Sequence, residues 1–340
     1  MLLIYISNLD ANSSQPISPS AYVYDADILP QNLFLRAAIQ AREELVGSFA
    51  KYYADESYKQ GSEYIQKFTQ HCISQGVPET DISRMLLGTV FNNVANSVPS
   101  AIWVIYHIFS DRCLLQEVRD EVEQNAVVKD VEKGAMDGIS TIDLSRLTNS
   151  SHCPVLLSTY YEVFRYHGMA NSVRAVSEDH LLDGRFLLRK GGLVMMSARA
   201  QHRNPAVWGP DVDEFCPHRF MPDKKSDEEQ TEQQHGRRRN RINPAAFRGF
   251  GGGVTLCPGR HFATAEILLL VAMLVLRFDI QPVGGLPWAT PSTKNSSQAE
   301  AVEQPDQDIE VQFTPLPGVR RRNWYVTSSG PRDVSLLAQA

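Results

Sequence analysis

Phe250-Gly251-Gly252-Gly253-Val254-Thr255-Leu256-Cys257-Pro258-Gly259-Arg260 is the stretch on which the reading of this chain turns. By residue type it is a glycine-rich turn that delivers one cysteine to an apolar helix, expected over His261 to Leu276 and dense in Ala, Leu, Ile and Val. Glycines let the backbone turn tightly and approach a flat partner, because no Cβ intervenes. Pro258 is expected at the first helical position, where its missing N–H costs nothing. Cys257 would then lie at a helix N-terminus, where free N–H groups and the helix dipole favour a thiolate. A buried structural cysteine on a glycine loop is the plain alternative. A phosphate-binding loop lacks its Gly-Lys-Ser/Thr, and His261 has no second Cys/His pair at zinc-finger spacing.

A thiolate held by backbone donors in apolar surroundings is what a heme iron takes as an axial ligand. The pattern Phe250-x-x-Gly253-x-x-x-Cys257-x-Gly259 resembles the heme-ligand loop of the cytochrome P450 family, with residue types fixed at set spacings. The resemblance implies heme b bound through Cys257 as metal ligand, with Phe250, Gly251, Gly253 and Gly259 forming the cofactor-facing loop. Thr255 departs from the family pattern, which commonly has Arg or His there to bind a propionate.

Upstream, Ile82 to Ser110 reads as a long helix, apolar over most of its circumference. Its middle, Asn92-Asn93-Val94-Ala95-Asn96-Ser97-Val98-Pro99, is polar, which costs stability unless those groups face water, a ligand or one another. Pro99 cannot donate to the carbonyl of Ala95, so a bend is expected there. A local proline kink with self-bonded amides and a polar groove beside a ligand both fit. The segment is similar to the distal helix of the family, where an Ala-Gly-x-acid-Thr pattern bends around the oxygen site. Asn96 stands where an acid is usual and Ser97 where Thr is usual, as in the Asn-Thr-x-Pro version of the sterol and bile-acid hydroxylase branch. The resemblance therefore implies Ser97 and Asn96 as catalytic residues, Ser97 offering a hydroxyl to oxygen or to a proton-relaying water.

Two further segments follow in the family's order. Pro154 opens a helix through Tyr166, ending near Gly168, and Glu162 and Arg165 share one side of it. Glu-x-x-Arg alone says little, since most such pairs are surface ion pairs. Phe215-Cys216-Pro217-His218-Arg219-Phe220 resembles the family's Phe-x-Pro-x-Arg-Phe segment. The resemblance implies that Glu162, Arg165 and Arg219 form a buried structural network, and that Arg174 reaches a heme propionate, although an exposed strand-start charge explains Arg174 equally well.

The bulk properties bound the rest. The chain has 340 residues, 43% of them hydrophobic, and a formal net charge of −6, which argues against a general nucleic-acid binder. Five cysteines, at 72, 113, 153, 216 and 257, are odd in number and lack pairing spacings, as suits a reducing compartment. Met1 to Ser7 is apolar too briefly to span a membrane, which takes about 20 apolar residues, and no transmembrane anchor is read elsewhere in this chain. Leu33 to His71 reads as helical, broken at Gly76-Val77-Pro78, and Asp111 to Gln124 as another helix. Ile142 to Arg146 reads as a helical turn. Phe186-Leu187-Leu188 and Leu193-Val194-Met195-Met196 read as strands about the Lys190-Gly191-Gly192 turn. Ile309 to Phe313 and Trp324 to Val326 read as a terminal hairpin.

The fold expected is mainly α with small β-sheets, resembling a cytochrome P450 without its N-terminal helices and part of its first sheet. An irregular segment is expected over 1–32, the heme domain over 33–330 with a charged insert at 224–241, and a tail over 331–340. The resemblance implies monooxygenation of a small apolar molecule, a sterol, terpenoid or other secondary metabolite, with O2 and electrons from an NADPH-dependent reductase, in a fungal protein at the cytoplasmic side of the endoplasmic reticulum. A heme-thiolate isomerase or dehydratase needing no electrons, and a non-catalytic truncated remnant, stay open beside it.

Overall fold

The computed structural model describes residues 36–129, 139–221, 243–297, 300–319 and 323–328, which pack as two units divided between Ala95 and Asn96. The segments expected at 1–32, 224–241 and 331–340 lie outside the described residues.

The first unit is helical: α1 over Arg36–Ala54, α2 over Glu63–Ser74 and α3 over Glu79–Asn92. The single helical reading of Leu33 to His71 is corrected to two helices. Glu56 takes a left-handed conformation at φ 54°, and Ser62 restarts the chain by accepting at Oγ from the N–H of Ile65 at 3.4 Å. Tyr53, Cys72, Ile82 and Leu86 form the small buried cluster that joins the three helices.

The second unit holds the main core. A π turn at Asn93–Ser97 leads into α4 over Val98–Ser110, followed by α5 over Arg112–Asn125. The long helix read over Ile82 to Ser110 is thus interrupted, and the cause is local. Pro99 lies in the first turn of α4 and has no N–H to give, so the ladder widens by one residue just before it. Asp111 caps α5, accepting from the N–H groups of Cys113 at 2.9 Å and Leu114 at 3.1 Å. After β1 (Val127–Lys129) and β2 (Ile139–Asp143) come the short α6 (Leu144–Leu147) and α7 (Pro154–Tyr166). The helical turn read from Ile142 begins only after strand β2 ends. The strands β3 (Asn171–Ala175), β4 (His180–Leu182), β5 (Phe186–Leu188) and β6 (Leu193–Ser197) follow, then α8 (Ala198–His202) and α9 (Pro205–Trp208). The chain continues through α10 (Arg260–Arg277), β7 (Phe278–Pro282), β8 (Val311–Pro315) and β9 (Asn323–Thr327).

Helices α4, α5, α7 and α10 bury one apolar seam: Trp103, Val104 and Ile108; Val118 and Val122; Leu156, Tyr160 and Val163; Ile267, Leu268, Val271 and Val275. Helix α5 also carries charge to the ends of its neighbours. Arg119 donates to the carbonyls of Val275 at 2.8 Å and Phe278 at 3.2 Å, at the C-terminus of α10. Glu121 accepts from the N–H groups of Val155 at 2.8 Å and Leu156 at 2.9 Å, at the N-terminus of α7. Cation at one end and carboxylate at the other each oppose the local helix dipole.

Glu121 makes stability pH-dependent. Burial raises its carboxyl from 4.5 to about 7, against the two N–H donors and with Glu117 adding to the rise. A carboxyl raised in the folded state contributes most when protonated, so its contribution falls as pH climbs from 4.5 toward 7. Glu121→Gln, neutral throughout, should flatten that part of a urea-midpoint profile; an unchanged slope would assign the pH dependence to other groups.

The strand partners differ from those read locally. Sheet β1-β2-β9 pairs β1 antiparallel and β9 parallel to β2, while β3–β6, β4–β5 and β7–β8 are antiparallel pairs. The strands at Phe186 and Leu193 therefore do not pair with each other. Asp183 and Gly184, at φ 53° and 62°, make the left-handed turn that folds β5 back on β4. The Lys190–Gly192 turn closes on Val176 instead, through Gly191 N–H to its carbonyl at 2.8 Å, which seats β6 on β3. The expected terminal hairpin is likewise replaced: β8 pairs with β7, where Phe278 and Phe313 meet edge to face, and β9 pairs with β2. No helix of the described residues is long and apolar enough to cross a membrane.

Candidate functional site

The cysteine loop is built by its glycines and anchored by one aromatic. Gly251 and Gly253 take φ of 78° and 63°, a region in which a side chain would be strained. Gly253–Thr255 forms a short 3-10 turn, and the N–H of Cys257 donates to the carbonyl of Phe250 at 3.0 Å, closing the loop. The Phe250 ring packs on Phe164 of α7 at 4.7 Å between centroids. Behind it, a Cβ on Gly249 would fall 2.5 Å from the Phe247 ring and 2.8 Å from Phe164 Cβ, so glycine is required there.

The entry to α10 differs from the sequence reading. Gly259 is the cap and Arg260 the first helical residue, so Pro258 lies in the preceding turn rather than at the first helical position. Arg260 instead secures the cysteine, its guanidinium donating to the Cys257 carbonyl at 3.0 Å. The Cys257 thiol is exposed and unpaired in any disulfide. A Cβ on Gly259 would come 3.8 Å from its sulfur, whereas one on Gly253 would meet nothing within 4 Å, so the loop leaves the thiol face open.

Strand β3 brings Arg174 to this loop. Its guanidinium donates to Thr255 Oγ1, and also to the carbonyl of Val173 at 2.8 Å. Thr255 Oγ1 donates in turn to the carbonyl of Gly252 at 3.3 Å. The position where a basic residue is usual thus carries a hydroxyl that holds a guanidinium arriving from another strand.

Among the described residues no group of three or more His, Cys, Asp or Glu converges to hold a bare metal ion. A single open sulfur suits a metal that brings its remaining ligands with it in a flat macrocycle. Arg174 beside it suits the carboxylates such a macrocycle carries, since guanidinium matches carboxylate in a two-pronged contact. The residues present fit heme.

Beneath the loop, Glu162 and Arg165 are both 0% exposed and Arg219 is buried with them. Arg165 donates to both oxygens of Glu162 at 2.7 Å, and Arg219 Nε donates to Glu162 Oε1 at 3.2 Å. The other donors of Arg165 run to the carbonyls of His202, Val212 and Glu214; those of Arg219 run to the carbonyls of Trp208, Asp211 and Glu214 and to the Asp211 carboxylate. The cluster therefore stitches α7 to the 202–219 segment. His202 extends it toward the cysteine: its Nε2 accepts from the N–H of Arg248 at 2.8 Å, two residues before Phe250. Burial and then Arg165 push the His202 imidazole down to about 4, which keeps it a neutral acceptor. Sequence reasoning passed over His202, because a histidine before Arg-Asn-Pro carries no spacing signal. It also passed over Tyr160, whose hydroxyl meets that of Thr264 at 3.0 Å between α7 and α10.

Asn96 and Ser97 belong to a different element, the π turn. The Asn96 carbonyl accepts from Ser100 Oγ at 2.7 Å, and its Oδ1 accepts from the N–H of Ala301 at 3.4 Å. Ser97 is half-buried and its hydroxyl caps nothing. Helix α4, which starts after this turn, packs against α10, which starts after the cysteine loop.

A sequence model of the cytochrome P450 family matches residues 10–305. The chain belongs to the cytochrome P450 family. Among its P450 relatives, a cytochrome P450 monooxygenase of Hypoxylon pulicicidum is 34% identical over 280 residues, covering 82% of this chain and 52% of that protein. A cytochrome P450 monooxygenase of Gibberella zeae is 30% identical over 77% of this chain and 48% of its own length. The 25-hydroxycholesterol 7-alpha-hydroxylase of Rattus norvegicus is 28% identical over 76% of this chain and 58% of its own. The chain spans about half the length of the curated P450 relatives it matches.

Proposed function

We propose that this chain is a heme-thiolate monooxygenase that oxidises a small apolar molecule, of sterol, terpenoid or other secondary-metabolite class. The observation that carries the reading is Cys257, an exposed thiol on a loop held by Phe250, Gly251, Gly253 and Gly259, with Arg174 bonded to the residue two before it. Membership of the family and relatives named monooxygenases support the reaction class, and the relative named as a 25-hydroxycholesterol hydroxylase supports the sterol-like substrate.

Heme, bound through the Cys257 sulfur, would supply the activation of O2. The chain's own residues do the rest. Arg174 holds a propionate, Thr255 orienting its guanidinium. Glu162, Arg165 and Arg219 keep α7 fixed under the loop so that the sulfur does not wander. On the distal helix, Ser97 offers a hydroxyl to a proton-carrying water, and Asn96 orders that water without itself exchanging a proton. Electrons come from an NADPH-dependent reductase, and the site of action is the cytoplasmic side of the endoplasmic reticulum, as the family resemblance implies.

The test is the carbon monoxide difference spectrum of the heme-loaded, dithionite-reduced full chain. A red-shifted thiolate band, followed by product formation that needs both O2 and NADPH with reductase, is the expected result. Product without added electrons would sink monooxygenation in favour of isomerisation, and the lack of any band would sink the heme site.

A further inference from the structure

Tyr160 lies two residues before Glu162 on α7, and Thr264 lies one turn into α10. Both are buried, at 0% and 1% exposure. Their hydroxyls are 3.0 Å apart, and Thr264 Oγ1 donates to the Arg260 carbonyl at 2.8 Å. A carbonyl can only accept, so the single Thr264 proton is committed to Arg260 and Tyr160 is the donor to Thr264. The chain of donors thus runs from α7 through Thr264 to the first residue of α10. Arg260, where it ends, is also the residue whose guanidinium returns to the Cys257 carbonyl at 3.0 Å.

The ring of Tyr160 bears on the other end of the same loop. It meets Phe164 edge to face at 5.0 Å and lies 6.5 Å from the Phe250 ring, which itself packs on Phe164 at 4.7 Å. Phe250 is where the cysteine loop begins, since its carbonyl takes the Cys257 N–H at 3.0 Å. Burial pushes the Tyr160 phenol up, against the bond to Thr264, and Tyr161 and Cys257 add to the rise. The hydroxyl therefore keeps its proton and stays a donor at neutral pH, with the cysteine near enough to act on it.

One side chain therefore bears on both ends of the loop: on Phe250 at the entry through its ring, and on Arg260 at the exit through its hydroxyl and Thr264. We infer that Tyr160 is a positioning residue for Cys257, its hydroxyl fixing the start of α10 against α7 and so the place from which the sulfur is presented. The role differs from that of the charged cluster, which ties α7 to the 202–219 segment and reaches the loop from its entry side, at Arg248. The link itself is independent of heme; that it sets a metal–sulfur bond rests on the proposed function. Removing the Tyr160 hydroxyl frees the exit of the loop while the ring stays against Phe164 and Phe250. Removing the Thr264 hydroxyl alone instead leaves a buried phenol without its acceptor, the costlier of the two losses.

Hydrogen exchange on the full chain reads the link directly. Exchange at the Cys257 and Ala263 amides, bonded to the carbonyls of Phe250 and Gly259, should be roughly tenfold faster in Tyr160→Phe, with Val118 and Val122 of α5 unchanged as internal controls. Thr264→Ser, which keeps the hydroxyl, should stay within about twofold of the parent. Thr264→Val should be the least stable single variant, because it strands the phenol, and adding Tyr160→Phe to it should recover the urea midpoint. Exchange at Cys257 and Ala263 should nonetheless stay fast in that double variant, an outcome a merely structural role does not give. Protection unchanged at both amides in Tyr160→Phe, a rise shared equally by Val118 and Val122, or protection restored in the double variant overturns the assignment. In the heme-loaded, reduced chain, Tyr160→Phe and the double variant should both show a smaller share of the red-shifted carbon monoxide band at equal heme content, and Thr264→Ser the parent's share. The parent's share in Tyr160→Phe overturns the link to the sulfur. Should the parent chain give no such band, it is the heme reading that fails, while exchange at Cys257 and Ala263 still decides whether Tyr160 positions the loop.

Discussion

Cys257→Ala and Cys257→Ser should both lose the red-shifted carbon monoxide band while leaving the urea-unfolding midpoint of the heme-free chain within about 0.5 kcal/mol of the parent, as expected for an exposed surface position. The two halves of this result have separate physical origins. The thiol is exposed, and the loop around it is held by main-chain bonds and by the Phe250 ring on Phe164, none of which involve sulfur. Removing the sulfur therefore costs little packing. A serine hydroxyl is a far weaker ligand than a thiolate at neutral pH, so the isosteric variant should fail spectroscopically as completely as alanine. Retention of the band in either variant would show that another group ligates the iron. Cys113 is also exposed, on α5, so Cys113→Ser is the matched control and should keep the band.

Legibility from sequence followed the range of the interaction. Helix α7 runs from Pro154 to Tyr166, bounds that proline at its start and Gly168 beyond its end make readable. The Glu162–Arg165 spacing is equally local. That Arg219 reaches the same carboxylate is a contact across 57 positions, which the family resemblance suggests but no local pattern encodes. Strand pairing failed for the same reason: β9 pairs with β2, nearly two hundred residues away, and the alternation of β8 with β9 looked like a hairpin only because they are neighbours in sequence. The hairpin that does form, β4–β5, turns at Asp183-Gly184, a turn dipeptide between two short apolar runs that the sequence reading passed over in favour of Lys190-Gly191-Gly192. The polar centre around Asn96 was legible as an anomaly, but its resolution into a π turn depends on hydrogen-bond register, which a proline perturbs without specifying. Glu303 gave no signal at all, since a glutamate in a loop is ordinarily solvated; its burial comes from Arg199, His167 and Trp103 meeting there from three other elements.

Arg165→Ala should destabilise the chain by about 3–5 kcal/mol, the range for removing one partner of a fully buried ion pair. The loss exceeds the pair itself because Arg165 makes five hydrogen bonds at once: two to Glu162 and three to the carbonyls of His202, Val212 and Glu214. Its removal leaves a carboxylate at 0% exposure with Arg219 as the one guanidinium opposite, at 3.2 Å, and takes the Arg165 donor from the carbonyls of His202 and Val212, while that of Glu214 keeps Arg219. Arg165→Lys should recover little, because an ammonium cannot reproduce the two-pronged match to Glu162 and also span the carbonyls beyond it. Glu162→Gln should cost a comparable amount by leaving the fully buried Arg165 guanidinium without a counter-charge, with Arg219 keeping only Asp211, and by giving the Cys216 N–H a weaker acceptor than the 2.9 Å contact it now has. The Arg165→Ala/Glu162→Ala double variant should be less destabilised than the sum of the singles, since each single exposes the other's unpaired charge. A lysine variant within about 0.5 kcal/mol of the parent, or strict additivity in that cycle, would show that the cluster does not act as a unit. The consequence for the site follows through His202, whose carbonyl faces Arg165 and whose ring takes the Arg248 N–H: loosening the cluster should broaden or weaken the carbon monoxide band at urea concentrations where the rest of α7 is still folded.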